Sequence, residues 1–273
     1  MHPILIDFGS FDLPLFGRTH LFLPTYGVLF AGGALLAWWW FLRRARSLNV
    51  PEDRLFNLGF YSLLAGILGA KLTLILVEWR YYFAKPIEIL SSLRSAGVLM
   101  GGVLCGSLVF AYYARKHDLP LFRLADAAAA PLALAQAIGR FGCFCAGCCY
   151  GVPCERFSVT FTDPVAAAQT GVPLNVPLVP TQLVQLGNDL LLSGILAWMW
   201  RRQVRPAGST FWWYVLLYSA TRAVIETWRG DAVRGTYFGG AVSTSQILSA
   251  CGVAFAVAML IRGRARRDAA EAA

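Results

Sequence analysis

Two arginines could bind an anion because each lies in or at the end of an otherwise apolar run. Arg140 lies in the stretch 139–151, GRFGCFCAGCCYG, and Arg222 lies in a second apolar run. A cation at membrane depth costs about 2.5–3.5 kcal/mol on insertion scales, so it indicates a function and a partner. Two guanidinium groups converging on one site would suit a phosphodiester, since each can bind two oxygens in one plane. The alternative is that each arginine pairs with a carboxylate, such as Glu226 one helical turn after Arg222.

The stretch around Arg140 is also rich in glycine, which lets the backbone approach a ligand closely, and in cysteine. On the outer side of a membrane, disulfides are the natural expectation for such cysteines. The CxxC spacing of two of them also fits a redox pair or half of a metal site. Structural disulfides or buried thiols, redox or metal chemistry, and a direct role at a lipid site therefore all stay open. The five cysteines that fall within twelve positions are Cys143, Cys145, Cys148, Cys149 and Cys154.

The composition is that of a membrane protein. Of the 273 residues, 57% are hydrophobic and 14% are charged, against about 25% charged residues in soluble domains. Several apolar stretches reach the roughly 20 residues that cross a bilayer. The net charge of +9 is explained by arginines in cytoplasmic loops, so no nucleic-acid partner is expected. We therefore predict an all-α, polytopic membrane protein with a single domain over residues 1–273.

The apolar stretches predict a bundle of about seven transmembrane helices. Residues 1–23 form a re-entrant or interfacial segment, or a loosely held tail. A polar loop over residues 150–180 lies outside the membrane and contains a short strand near residues 156–162. The predicted helices cover residues 25–42, 55–77, 97–114, 124–142, 181–200, 210–227 and 244–261.

The distribution of lysine and arginine gives the orientation. Fourteen of the 24 basic residues lie on one side and eight on the other, while Lys71 and Arg222 lie inside spans. Because cytoplasmic loops carry the excess of positive charge, the amino terminus is predicted outside and the carboxyl terminus in the cytoplasm. The stretch around Arg140 then shares the outer face with the loop between the sixth and seventh helices.

Taken together and in order, these residues resemble the prolipoprotein diacylglyceryl transferase family over nearly the whole chain. The segment Gly139-Arg140-Phe141-Gly142, followed by Gly151, is similar to the family signature. Supporting matches are spread over the other helices. They are Tyr26-Gly27, Gly101-Gly102, Pro180-Thr181-Gln182-Leu183, Tyr218, Arg222, Glu226 and Gln246-Ile247-Leu248.

The resemblance implies a bacterial plasma-membrane enzyme that moves a diacylglyceryl group from phosphatidylglycerol to the lipobox cysteine thiol of a prolipoprotein. Arg140 and Arg222 would hold the phosphate and stabilise its growing charge as glycerol phosphate leaves. The precursor's signal peptide would enter from the outer face, and no cofactor or metal is expected. Tyr26 and Glu226 complete the implied catalytic set. The implied substrate contacts are Gly139, Gly142, Cys143, Gly151, Gly101, Gly102, Met100, Tyr218 and Gln182.

The sequence departs from the family pattern at positions that matter for chemistry. Met100 replaces the usual histidine before the Gly-Gly pair and is interpreted as a core residue. Cys143 replaces an asparagine, and Cys148 replaces the glutamate near the closing glycine. Without that histidine, Glu226 and Tyr26 are the options for the base that deprotonates the acceptor thiol. Two alternatives follow. One is a protein of this fold that binds anionic lipid without transferase activity, and the other is a membrane thiol-redox or metal protein that uses cysteines 143–154.

Overall fold

The computed structural model describes residues 2–13, 17–85, 88–91, 97–202, 206–231, 235–237, 240 and 242–271. The described chain is mostly helical, which confirms the predicted class. Each of the seven apolar stretches coincides with a long helix. These helices are α1 (Thr25–Ala45), α2 (Glu52–Val77), α5 (Leu99–Lys116), α6 (Leu121–Ala146), α8 (Thr181–Arg202), α9 (Ser209–Glu226) and α10 (Thr244–Glu271); the shorter ones are α3 (Trp79–Ala84), α4 (Glu88–Ser91) and α7 (Pro164–Thr170).

Four helices of the described chain are long and apolar enough to cross a membrane, by length and composition. The prediction of seven crossings therefore stays a prediction for α5, α8 and α9. Polar side chains lower the hydropathy of α8, but those on its buried face point into the protein, as intramembrane polar groups usually do. The four segments are Thr25–Leu48, Glu52–Val77, Leu121–Ala146 and Thr244–Ala265.

The amino-terminal segment is a β-hairpin, so the prediction of a loosely held tail is wrong. Strand β1 (Ile4–Leu13) pairs antiparallel with β2 (Gly17–Pro24). Asp7 and His20 lie 3.4 Å apart across the two strands, so these two polar side chains are cross-strand neighbours. Whether the hairpin lies at the membrane interface stays a prediction.

Two shorter antiparallel pairs lie in the loops. Strand β3 (Val159–Thr160) pairs with β4 (Pro177–Leu178), which confirms the short strand predicted near residues 156–162. Strand β5 (Thr236–Tyr237) pairs with β6 (Val242–Ser243) between α9 and α10.

The chain forms two compact units, Leu42–Leu124 and the remainder, Met1–Phe41 with Ala125–Ala273. The prediction of one domain over the whole chain stays a prediction.

In the unit Leu42–Leu124, helices α2 and α5 pack through small residues. A Cβ at Gly101 would clash with Thr73 and lie 2.7 Å from the carbonyl oxygen of Gly69, so the two backbones nearly touch. Gly102 is as close, since its Cβ would lie 2.8 Å from the carbonyl oxygen of Gly66. The prediction that Met100 is a core residue is wrong, because its side chain is 51% exposed. Met100 precedes the glycine pair by one residue and so lies on another face of α5.

In the larger unit, α6 fixes the positions of both α8 and α9. Alanines of α6, such as Ala130 and Ala133, pack against Leu192 and Leu196 of α8. The buried carboxylate of Asp126 caps α9. It accepts hydrogen bonds from the backbone N–H of Gly208 at 2.7 Å and of Phe211 at 2.9 Å. A carboxylate at a helix amino terminus is stabilised by the free N–H groups and the helix dipole. Helices α6 and α9 both start near this cap, and Arg140 and Arg222 lie toward their far ends.

Candidate active site

Glu226 lies at the centre of a buried ion-pair chain. Its Oε2 is 2.6 Å from Nη2 of Arg222 and 3.5 Å from Nη1 of Arg229. Arg229 also donates from Nε to Asp231 at 2.8 Å. The carboxylate of Glu226 is 1% exposed, so one buried anion contacts two guanidinium groups. The pairing of Arg222 with Glu226, considered above as the alternative to phosphate binding, is therefore present in the structure.

Arg140 differs from the other two arginines of the cluster. Its side chain is half-buried, and within the part of the chain that the structure describes it belongs to no ion pair. Its guanidinium is near enough to Arg222 for the two charges to repel. Tyr218 and Asp189 are among its electrostatic neighbours. The structure thus brings together the two arginines that the sequence singled out, and among the described residues Arg140 forms no ion pair.

Asp189 of α8 is a fully buried carboxylate that the sequence analysis missed. Its Oδ1 accepts hydrogen bonds from Nε2 of Gln185 at 2.8 Å and from Nδ2 of Asn188 at 3.0 Å. Its Oδ2 is buried without a hydrogen-bond partner among the described residues. The charges of Arg140 and Arg222 act on it. A carboxylate in the middle of an apolar helix is itself a signal of function, and that signal could have found it.

Two tyrosines of α9 face the same region. Tyr214, also missed from the sequence, donates a hydrogen bond to Oε1 of Gln136 on α6 at 2.9 Å. Its ring lies 5.9 Å from that of Tyr218, centroid to centroid. Tyr218 lies one turn before Arg222, so the tyrosines and the arginine follow one face of α9.

Tyr26 is the second residue of α1 and contacts α6 at Gly142. A Cβ at Gly142 would lie 3.1 Å from Cδ2 of Tyr26 and 3.4 Å from its Cα, so the absence of a side chain allows this close packing. The ring of Tyr26 stacks on Phe30 with centroids 6.0 Å apart. A Cβ at Gly139 would lie 4.0 Å from Cδ2 of Phe30, an ordinary contact distance.

The loop after α6 is hydrogen-bonded to the segment before α8 and to the segment after α9. The N–H of Gly151 donates to the carbonyl of Val179 at 3.0 Å, and Val152 donates to the carbonyl of Trp228 at 2.9 Å. A Cβ at Gly151 would lie only 2.5 Å from the carbonyl oxygen of Val179 and 2.8 Å from that of Trp228. Glycine is required here because three backbone segments meet.

Thr181 and Gln182 hold the cysteine-rich loop. The hydroxyl of Thr181 donates to the carbonyl of Cys149 at 2.7 Å, and Nε2 of Gln182 donates to the carbonyl of Cys148 at 2.8 Å. Both side chains are buried. In the structure, this pair of residues orders a neighbouring loop through its carbonyl groups.

Three thiols lie together beside the arginines. The Sγ atoms of Cys143, Cys148 and Cys149 are all within 4.8 Å of one another, and this group could hold a metal ion. Hydrogen bonds with Cys143 and Cys148 lower the pKa of the Cys149 thiol, and the charges of Arg229 and Arg140 lower it further. All seven cysteines are free in the structure, so the disulfides considered from the sequence are absent from it. Cys145 is outside the cluster, so the CxxC pair is not the unit that forms.

Met100, Gly101 and Gly102 belong to the other compact unit. Their contribution to a substrate site stays a prediction.

The fold and this cluster define a polytopic membrane protein with a group of arginines gathered at the ends of its helices. A family model described as prolipoprotein diacylglyceryl transferase matches residues 15–262. The chain therefore belongs to the prolipoprotein diacylglyceryl transferase family, as its resemblance predicted, and is a multi-pass membrane protein.

Bacterial relatives support the same assignment. The chain is 34% identical to a phosphatidylglycerol–prolipoprotein diacylglyceryl transferase of Clostridium tetani over 91% of this chain and 92% of the relative. It is also 34% identical to the protein named phosphatidylglycerol–prolipoprotein diacylglyceryl transferase 2 of Clostridium perfringens, over 82% of this chain and 85% of the relative. A transferase of the same name from Synechococcus elongatus is 29% identical over 95% of this chain and 86% of the relative.

Proposed function

We propose that this protein transfers the diacylglyceryl group of phosphatidylglycerol to the lipobox cysteine thiol of a prolipoprotein. Family membership and the names of its relatives support the reaction. The environment of Arg140 is the observation that connects this reaction to particular residues. Arg140 is a half-buried cation next to Arg222, yet it belongs to none of the ion pairs found among the described residues. A cation in that position needs an anion, and the lipid phosphate is one.

The chemistry requires charge stabilisation on the leaving group. The acceptor thiol gives its proton to water, and its sulfur attacks the glyceryl CH₂ carbon that carries the phosphate oxygen. A C–S bond forms, the C–O bond breaks, and its electron pair leaves on glycerol phosphate. The phosphate therefore gains negative charge in the transition state. Arg140 and Arg222 bind the phosphate oxygens and stabilise that charge in a site shielded from water.

Glu226 acts in this scheme as a positioning residue and not as the base. Its Oε2 lies 2.6 Å from Nη2 of Arg222 and 3.5 Å from Nη1 of Arg229, so this oxygen is already engaged by two guanidinium groups. Its role is to fix the guanidinium group of Arg222 toward the substrate. Tyr26, at the start of α1, borders the cysteine side of the same site.

The protein resides in the bacterial plasma membrane with its amino terminus outside and its carboxyl terminus in the cytoplasm. The lysine and arginine count supports this orientation. It places the Arg140 region on the face where an exported precursor arrives. Reporter fusions at the carboxyl terminus test it, since a reporter active only in the cytoplasm must be active there.

The transferase activity is tested with purified protein, phosphatidylglycerol and a synthetic lipobox peptide. We expect release of glycerol phosphate and a thioether-linked peptide, and a loss of about 10²–10³-fold in kcat for Arg140→Ala. Arg156→Ala removes an exposed arginine from the outer loop and is the matched control. Equal activity of the two variants would refute the role of Arg140. Retention of lipid without release of glycerol phosphate by the unaltered protein would instead favour a lipid-binding protein.

A further inference from the structure

The thiols of Cys143, Cys148 and Cys149 have the geometry of a metal site. Their Sγ atoms lie within 4.8 Å of one another. Zn–S bonds of about 2.3 Å in a tetrahedral site place sulfur atoms about 3.8 Å apart. The three sulfurs thus need to close by at most roughly 1 Å to bind one ion. Thiolate ligands select soft ions such as Zn²⁺.

The backbone brings these thiols together before any ion binds. Helix α6 ends at Ala146, and the N–H of Cys148 donates back to the carbonyl of Cys143 at 3.1 Å. Gly147 has φ +78° and Cys149 has φ +59°. A cysteine in the left-handed region is uncommon, and such residues persist where the surrounding structure holds them and often mark functional sites.

A second element holds this conformation. The side chains of Thr181 and Gln182, both buried, bind the carbonyl groups of Cys149 and Cys148. Two of the three thiol-bearing residues are therefore fixed through their backbones by α8. Such support is what orients the ligands of protein metal sites.

Two arginines lie within electrostatic range of the cluster. Arg140 and Arg229 both act on the sulfur of Cys149. Three thiolates and one Zn²⁺ carry a net charge of about −1, which the nearby guanidinium groups balance. The hydroxyl of Tyr26 also lies in the electrostatic range of the three sulfurs.

The cluster leaves one position free for an external ligand. Structural zinc sites are closed by four protein ligands, whereas catalytic sites have three and an open fourth position. In the described residues, the group that could hold an ion consists of these three thiols and includes no histidine or carboxylate.

We propose that Cys143, Cys148 and Cys149 bind one Zn²⁺ as thiolates and that its fourth position takes the acceptor thiol. The role of the fourth position rests on the proposed transferase function. On binding, each thiol gives up its proton to solvent, as coordinated thiols do. The bound acceptor sulfur keeps a lone pair that attacks the glyceryl carbon, and the C–O electron pair leaves with glycerol phosphate. The neutral thioether is a weaker ligand and departs.

The metal is tested apart from the activity. Protein produced with added zinc and purified without oxidant or chelator should contain one zinc per chain by elemental analysis. Cys148→Ser and Cys149→Ser should lose the metal, while Cys145→Ser, a change in the same stretch but outside the cluster, should keep it. Thermal melting in detergent checks that the variants fold. Absence of zinc, equal zinc in all three variants, or a disulfide within the cluster would overturn the inference.

The fourth position is tested by cobalt substitution. Titration of the Co²⁺ protein with a lipobox peptide should shift its visible absorption bands, and the same peptide with serine in place of cysteine should not. Chelation should abolish glycerol phosphate release, and zinc should restore it. Full activity after the metal is removed would overturn this role and leave the transferase proposal standing. A zinc-loaded protein that shifts with the peptide but releases no glycerol phosphate would overturn the transferase proposal alone.

Discussion

Replacing Gly151 by alanine should separate three backbone segments that the candidate site needs in contact. The added Cβ would lie 2.5 Å from the carbonyl oxygen of Val179 and 2.8 Å from that of Trp228. Both neighbours are backbone atoms, so no flexible side chain can move aside. Because real Cβ contacts essentially never fall below 3.0 Å, the loop must move by about 0.5 Å or more from α8 or from the end of α9.

The size of the effect follows from that displacement. Overpacking of this kind costs about 1–3 kcal/mol, which corresponds to a fall of roughly 2–12 °C in melting temperature for a protein of this size. The loop is bridged to Arg229 through Gly151, so the shift also reaches the ion pairs of Glu226. Misplacement by 1 Å can cost about a hundredfold in rate, so half that distance should lower kcat by about tenfold.

The assay compares Gly151→Ala with Gly187→Ala in detergent micelles. A Cβ at Gly187, an exposed position of α8, meets nothing within 4 Å. Alanine there should raise helix stability by about 0.5–1 kcal/mol. Melting temperature and glycerol phosphate release are measured for both variants. If Gly151→Ala has the same melting temperature and releases glycerol phosphate at the same rate as Gly187→Ala, the close contact of the three segments does not explain the need for glycine at position 151.

Two further substitutions and one labelling experiment test other parts of the protein. Glu226→Gln should destabilise the protein by about 3–5 kcal/mol, since it leaves Arg222 buried without its charge partner; an unchanged denaturation midpoint would contradict the buried pair. Asp189→Asn should lower the melting temperature and strengthen binding of glycerol phosphate, because it removes a buried negative charge beside the arginines; weaker phosphate binding would contradict this. Hydrogen bonds from the backbone N–H groups of Phe157 and Arg156 lower the pKa of the Cys154 thiol. Its thiolate therefore persists below the ordinary pKa of 9.0, and iodoacetamide should alkylate it at a lower pH than a free cysteine.

Hydropathy was a reliable guide to the helices and a poor guide to the first 23 residues. Long apolar runs favour a helix in a membrane because every backbone group must be satisfied within the segment. The amino-terminal hairpin instead depends on pairing between Ile4–Leu13 and Gly17–Pro24, and β-pairing of this kind depends more on context than on the propensity of single residues. The exposure of Met100 was missed for a related reason. Which face of α5 packs is set by the two glycines that follow it, and the hydropathy of methionine carries no information on this.

The arginines were found from the sequence, whereas the carboxylate and the tyrosine beside them were not. A cation in an apolar run is conspicuous, and this signal, together with the glycines and cysteines around Arg140, singled out the two arginines. Asp189 is likewise a charged residue within a predicted membrane helix, but an anion instead of a cation. Its helix also contains other polar residues, so it stood out less. Tyr214 did not stand out in the sequence, because membrane interfaces contain many aromatic residues. Its hydrogen bond to Gln136 becomes visible only when α6 and α9 are placed together.

In the cysteine cluster, separate departures from the family pattern lie together in space. Two of its members, Cys143 and Cys148, stand where the resemblance leads one to expect an asparagine and a glutamate. In the sequence these are two unrelated losses of polar groups. In the structure both thiols lie with Cys149 within 4.8 Å, beside the arginines and under the carbonyl contacts of Thr181 and Gln182. A single thiol in either place would be a poorly matched replacement for a polar side chain. Three thiols together could hold a metal ion, so the replacements make chemical sense only as a group.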